Sequence, residues 1–315
     1  MNTRRRTLPQ LAARPFLADS GLETTLIFHD GMELPYFASF VLLDTEAGRA
    51  RLARYFAEHI QLALDAHTGI VLETPTWRAN PDWGAKLGYD AAKLAAINRA
   101  AVAQLVELRA AMQTPASPVV ISGNLGPRGD GYRADTRMTL DEARAYHAPQ
   151  VETFAATEAD LVSVYTMNYV EEAVGVARAA RAAGMPVVVS FTVETDGRLP
   201  SGMALADAIA ATDDATGGYP AYYMLNCAHP SHFAHLFDGG AWQARLRGVR
   251  ANASKRSHAE LDEATELDPG DIGELARDYR TLAGHLPGLA VVGGCCGTDC
   301  RHVAAIRDSL LAEAA

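Results

Sequence analysis

Residues 160–192, DLVSVYTMNYVEEAVGVARAARAAGMPVVVSFT, hold a complete strand–helix–strand unit. Asp160–Thr166 is short and rich in β-branched and aromatic residues, the composition of a strand. Val170–Ala183 is Ala-rich and amphipathic, a helical pattern. Gly184 stands where a helix-ending glycine belongs. Pro186–Thr192 then carries Val187-Val188-Val189, the continuous apolar run of a parallel strand covered on both faces.

The same alternation continues in both directions. Strands are predicted at Pro15–Asp19, Gly69–Thr74, Pro118–Ser122, Ala221–Cys227, Leu246–Asn252 and Leu289–Gly294, with Gly288 before the last. Leu52, Phe56 and Ile60 recur every four residues and line one helix face. Further helices are predicted at Ala91–Met112, at Leu140–Thr157 behind a Thr139–Glu142 capping box, and at Met203–Thr212, Asp271–Ala283 and Asp299–Ala312, with a shorter one after Pro230. Eight strand–helix units in 315 residues predict an α/β fold, a (β/α)8 TIM barrel forming a single domain over residues 15–315, with residues 1–14 as a flexible tail. An open α/β sheet with one or two misread strands is the alternative.

Composition narrows the function. Hydrophobic residues make up 49% and charged residues 21%, enough apolar content for an ordinary core. The net charge of −10 argues against nucleic acid, because phosphate binding needs a basic face. No run approaches the ~20 apolar residues of a membrane span. Arg4, Arg5 and Arg6 have no apolar segment behind them, so they do not read as a secretory signal. The partners expected are small molecules, with no nucleic acid and no membrane, and the oligomeric state is left open. Four cysteines, three of them within six residues, point to thiols kept for chemistry in a reducing compartment, the cytoplasm.

A barrel places its chemistry where strands end. Those ends read Asp19, Glu73 with Thr74, Asn124, Tyr165, Glu194, Asn226 with Cys227, Asn252, and Cys295 with Cys296. Cys227 closes the sixth strand and the Cys295–Cys296 pair closes the eighth, so three sulfurs stand within reach of a common ion. Three thiolates make a tetrahedral zinc site with one open position, the pattern of catalytic zinc. Adjacent cysteines in an extended strand point to opposite faces, and Gly293, Gly294 and Gly297 are expected to give the backbone the freedom to turn both onto one metal. Small buried thiols or a vicinal Cys295–Cys296 disulfide would use the same residues. Cys300 would be needed only for a closed, structural all-cysteine site.

His229, His232 and His235 read as a solvated or capping helix start, and the glycine-rich loop 123–131 lacks the Lys-Ser/Thr ending of a phosphate cradle. Three thiolates outweigh the two positive charges of zinc, so such a centre splits water poorly but binds a soft sulfur and removes its proton. The expected reaction is attack of a bound thiolate on an electrophilic carbon.

Asn226-Cys227 and Gly293-Gly294-Cys295-Cys296-Gly297-Thr298 resemble the zinc-dependent homocysteine S-methyltransferase family, which includes betaine– and S-methylmethionine–homocysteine methyltransferases. Asp19-Ser20-Gly21-Leu22, Thr74-Pro75-Thr76-Trp77, Gly123-Asn124-Leu125-Gly126-Pro127, Ser190-Phe191-Thr192 and Asn252-Ala253 support the resemblance, which spans residues 15–310.

The resemblance implies Zn2+ held by Cys227, Cys295 and Cys296. It implies transfer of methyl from a sulfonium donor, S-methylmethionine or S-adenosylmethionine, to L-homocysteine, giving methionine. It implies Asp19 as an acceptor-binding residue, with Ser20 and Gly21 offering N–H groups to the acceptor's carboxylate. Thr74, Glu194 and Asn252 complete the expected pocket. The family's fourth strand ends in Glu-Thr, where the glutamate takes the substrate ammonium; here the pair is Tyr165-Thr166. Glu23, Glu73 and Glu194 are the candidates to replace it. Tyr36, Trp77, Trp83, Tyr132 and Tyr165 are candidate faces for a cationic donor. A different thiol acceptor, or a metal-assisted hydrolase or lyase on the same barrel, is the competing reading.

Overall fold

The computed structural model describes residues 4–12 and 14–311. Eight parallel strands close into a barrel in chain order: β1 Phe16–Ala18, β2 Ile70–Glu73, β3 Val119–Leu125, β4 Leu161–Met167, β5 Val187–Phe191, β6 Tyr222–Asn226, β7 Leu246–Ala251 and β8 Val291–Gly294. Closure is made by Phe16 opposite Val291 and Leu17 opposite Val292. The eight predicted strands are all present; six are shortened at one or both ends, β3 runs three residues past its predicted end to Leu125, and β4 is shifted by one residue to Leu161–Met167.

Seven long helices cover the barrel: Glu46–Asp65, Ala91–Met112, Leu140–Ala155, Val170–Ala182, Leu205–Thr216, Ile272–His285 and Cys300–Leu311. The last was expected to reach Ala312, which lies outside the described residues. The Thr139–Glu142 capping box forms, with Thr139 Oγ1 accepting from Glu142 N and Glu142 accepting from Thr139 N. The helix expected after Pro230 does not form. Pro230–His232, Ala234–Leu236 and Ala241–Arg245 are 3-10 turns instead, so β6 and β7 are joined without an α-helix.

Two apolar layers hold the fold. Leu17, Leu72, Val164, Val189 and Leu225 point outward under the helices. Val71, Val120, Leu161, Val188, Tyr222 and Met224 point inward and fill the barrel, alternating along each strand as the pleat requires.

The N-terminal segment departs from expectation. Leu8 joins the inner cluster, and Gln10 is fully buried with its Nε2 donating to Tyr222 Oη at 3.3 Å. Arg5 donates to the carbonyls of Ala155, Thr157 and Ala159, and Arg4 to that of Val119. Residues 4–12 thus cap the end of the barrel where β3 and β4 begin. Residues 1–3 and 13 of the expected tail lie outside the described residues.

Candidate active site

The sixth strand delivers Cys227 in a left-handed conformation, φ +56°. Such a conformation is uncommon for a residue with a Cβ and needs support from its surroundings. Support comes at its carbonyl, which accepts from Asn252 Nδ2 at 3.0 Å and His258 Nε2 at 2.5 Å. His258 is held in turn by Glu194, whose Oε1 lies 3.1 Å from Nδ1.

The Cys295–Cys296 pair lies just beyond β8, in a turn rather than in the strand. Cys295 N donates to Ala251 O at 2.8 Å, and Thr298 Oγ1 donates back to Cys295 O at 2.7 Å. Of the three glycines expected to free this backbone, only Gly297 has a positive φ, +80°. Gly293 and Gly294 are needed for space: a Cβ on Gly294 would stand 2.1 Å from Thr298 Oγ1.

The result is convergence. Cys227, Cys295 and Cys296 place their sulfurs within 4.8 Å of one another, and Cys300 is not in the group. Cys227 and Cys295 are paired as a disulfide, not the vicinal pair. Cys296 Sγ lies 3.8 Å from Cys227 Sγ and 3.8 Å from Tyr132 Oη. A tetrahedral zinc with bonds of about 2.3 Å separates its sulfurs by roughly 3.8 Å, so the donor set fits such an ion once the thiols are free. Cys296 faces the cavity, yet its enclosure pushes the thiol above its ordinary value. A thiolate there calls for a nearby cation.

The sulfurs open into a cavity of about 350 Å³ at the C-terminal mouth. Asp19, Ser20, Gly21, Glu23, Thr74, Tyr165 and Asn252 all line it; Glu194 does not, and reaches the site only through His258.

Most of these groups are already engaged. Asp19 is buried in an ion pair with Arg250, which also donates to Ser20 O and Gly294 O at 3.0 Å. Burial raises the Asp19 carboxyl, and Arg250 opposes that rise. Ser20 Oγ is held by His59 Nε2 at 2.9 Å. The Gly21 N–H, expected to face a substrate carboxylate, donates to Thr298 instead. Thr74 Oγ1 accepts from Asn124 N at 2.8 Å and ties β2 to β3. Glu23 accepts from Ser39 Oγ at 2.8 Å.

Glu73 differs. Tyr165 Oη donates to its Oε1 at 3.0 Å, while Oε2 is buried with no hydrogen-bond partner. Burial raises its carboxyl to about 7, against the pull of Arg250.

The expected aromatic faces divide. Trp77, Tyr132 and Tyr165 line the cavity, whereas Tyr36 and Trp83 do not.

Three participants escaped the reading of the chain: Arg250, His258 and Arg78. An arginine near the end of the strand Leu246–Ala251, beside the Asn252 strand end, was the available signal for Arg250. His258 and Arg78 lie in connections, where no periodicity marks them.

The family model for homocysteine S-methyltransferases matches residues 16–310. The chain belongs to that family. It is a methyltransferase of the homocysteine S-methyltransferase type. It is 26% identical over 255 residues to the homocysteine S-methyltransferase of Escherichia coli (strain K12), covering 74% of this chain and 77% of that protein. Its fold matches the homocysteine methyltransferase MmuM from Escherichia coli in an oxidised form, TM-score 0.67 at 21% identity, over 98% of this chain and 99% of the other. A metallated form of the same protein matches with TM-score 0.68 at 21% identity, over 96% and 99% of the two chains.

Proposed function

We propose that this enzyme is a zinc-dependent homocysteine S-methyltransferase that takes its methyl group from a sulfonium donor, S-methylmethionine or S-adenosylmethionine. The observation that carries the reading is the meeting of three cysteine sulfurs from two strand ends within 4.8 Å. Cys227, Cys295 and Cys296 would hold the ion. When bound, zinc supplies a centre that takes up a thiol and favours its ionised form.

The residues around it supply the rest. Asn252 and His258 fix the Cys227 carbonyl, so its sulfur is held toward the pair. The free Oε2 of Glu73 receives the acceptor's ammonium, replacing the carboxylate missing at Tyr165, whose hydroxyl orients Glu73 instead. Arg250 neutralises Asp19 and pins β1, β7 and β8 together, so Asp19 supports the pocket wall. The acceptor thiolate then attacks the donor methyl in line: the new S–C bond forms as the sulfonium S–C bond breaks, and the donor leaves as a neutral thioether.

The test is an assay of S-methylmethionine and S-adenosylmethionine with and without homocysteine, following methionine by mass spectrometry alongside metal analysis. Cys227→Ala is expected to lose both zinc and turnover. Stoichiometric zinc with full activity in that variant would sink the reading.

A further inference from the structure

The aromatic faces beside the cavity are already stacked on cations of the protein. The Arg78 guanidinium carbon lies 4.0 Å from the ring centroids of both Trp77 and Trp83. Lys86 Nζ lies 3.9 Å from Trp83 and 5.5 Å from Tyr36. A donor sulfonium therefore does not find these faces empty.

Arg78 borders the cavity and is 7% exposed. A guanidinium carries five N–H donors. Here Nη1 donates to Gly129 O at 3.0 Å, while Nε is buried with no hydrogen-bond partner. None of the ion pairs among the described residues includes Arg78. Burial lowers it to about 10, with Asp130 and Glu23 acting from a distance. A desolvated cation with unmade hydrogen bonds is completed by an anion, and a planar fork between two tryptophans suits a carboxylate in particular.

Resting on the methyl transfer proposed above, we infer that Arg78 docks the carboxylate of the methyl donor, so that the enzyme selects sulfonium compounds that carry one. The acceptor's end of the cavity is the strand layer, where Glu73, Asp19 and Arg250 lie. Arg78 stands above it, in the connection after β2, bonded to the loop that carries Tyr132. The two substrates are thus assigned separate anchors in one cavity that Cys227, Cys295 and Cys296 also line.

The matched probes are S-methylmethionine and its carboxamide, which differ only in that charge. The native enzyme is expected to favour the carboxylate by about 30-fold in kcat/KM, the scale of a charge-assisted hydrogen-bonded pair. Arg78→Gln is expected to erase that preference while leaving the KM for homocysteine unchanged, and Arg78→Lys, which keeps the charge without the fork, to fall between. Equal loss with both donors, a preference that persists in Arg78→Gln, or a change confined to the homocysteine KM would overturn the inference.

Binding gives a second readout that needs no turnover. Trp77 and Trp83 flank the guanidinium and are two of only three tryptophans in the chain, so their fluorescence reports on its occupancy. S-methylmethionine is expected to change the emission of the native protein at concentrations where the carboxamide does not, and to do so weakly in Arg78→Gln. If no donor yields methionine, the proposed reaction fails, yet this binding difference still decides the role of Arg78. Identical titrations with both probes would refute it.

Discussion

At the N-terminal end of the barrel, Arg5 reaches the carbonyls of Ala155, Thr157 and Ala159, and Gln10 Nε2 finds the hydroxyl of Tyr222. At the C-terminal end, Glu73 Oε2, Arg78 Nε and Asn252 Oδ1 are buried with no hydrogen-bond partner. Among the described residues 4–12 at the first end, Gln10 Oε1 is the one buried polar side-chain atom left without a hydrogen-bond partner. The other leaves donors and acceptors open around a cavity, and burying an unpaired polar group costs roughly 1–3 kcal/mol. A fold tolerates that cost where a ligand removes it, so the difference marks which end binds.

The largest expected effect lies at the cysteines. Cys227→Ala removes one of three sulfurs, and metal content and methionine formation are both expected to fall to background. A smaller effect separates the sulfur from its scaffold. His258→Ala removes one of the two hydrogen bonds on the Cys227 carbonyl while leaving all three thiols. Zinc affinity is expected to drop about 10- to 100-fold, the scale seen when groups that orient metal ligands are lost. Competition with a chelator, under a reductant that keeps Cys227 and Cys295 apart, measures it. Unchanged affinity would mean that Asn252 alone fixes the strand end.

Glu73→Gln comes next. It keeps the shape and an acceptor for Tyr165 but removes the charge, and the KM for homocysteine is expected to rise about 30-fold. In the native enzyme the free carboxyl sits at about 7. On the proposed role acceptor binding needs the ionised form, so affinity is expected to weaken as pH falls below about 7 in the native enzyme, and the variant is expected to lack this contribution to the pH dependence. Stability moves the other way. The folded carboxyl is raised above its ordinary value, so the native state holds the extra proton between about 4.5 and 7. Stability from this group is present below that window and is lost as pH rises through it. Denaturant midpoints of native and variant at pH 5 and pH 8 check the sign.

What could be read from the chain follows the same division. The barrel was legible because each strand announces itself locally, as Val187–Val189 does by being apolar on both faces. Cys227, Cys295 and Cys296 were legible because strand ends and glycines are local features too. Pairings across the sequence were not. Asp19 is a carboxylate at a strand end on either reading, and only the fold reveals that Arg250, 231 residues away, occupies it. The departure at Tyr165 was visible, but only the fold shows that Glu73 keeps a buried oxygen without a hydrogen-bond partner, that Glu23 accepts from Ser39 and that Glu194 does not line the cavity. The docking of the N-terminal segment could not be read from the chain because its partners, Tyr222 and the carbonyls of Ala155, Thr157 and Ala159, lie far along it.

The N-terminal segment gives the smallest and sharpest test of the comparison. Residues 4–6 look like a solvated basic tail, because three arginines in a row have no local partner. Arg5 instead serves three carbonyls 150 to 154 residues away, at the end of helix Leu140–Ala155 and the approach to β4. Those carbonyls fall where a helix runs out of internal donors, so an arginine there supplies what the helix cannot. Part of the bonding is open to water, which limits its worth. Arg5→Ala is therefore expected to lower unfolding free energy by about 1–2 kcal/mol. Zinc content, kcat and both KM values are expected to stay at native levels, because the described residues 4–12 do not line the cavity. A denaturant midpoint that does not move would mean the segment is not held there in solution. A midpoint that moves together with kcat would mean the two ends of the barrel are coupled, and the separation of stability from chemistry drawn above would fail.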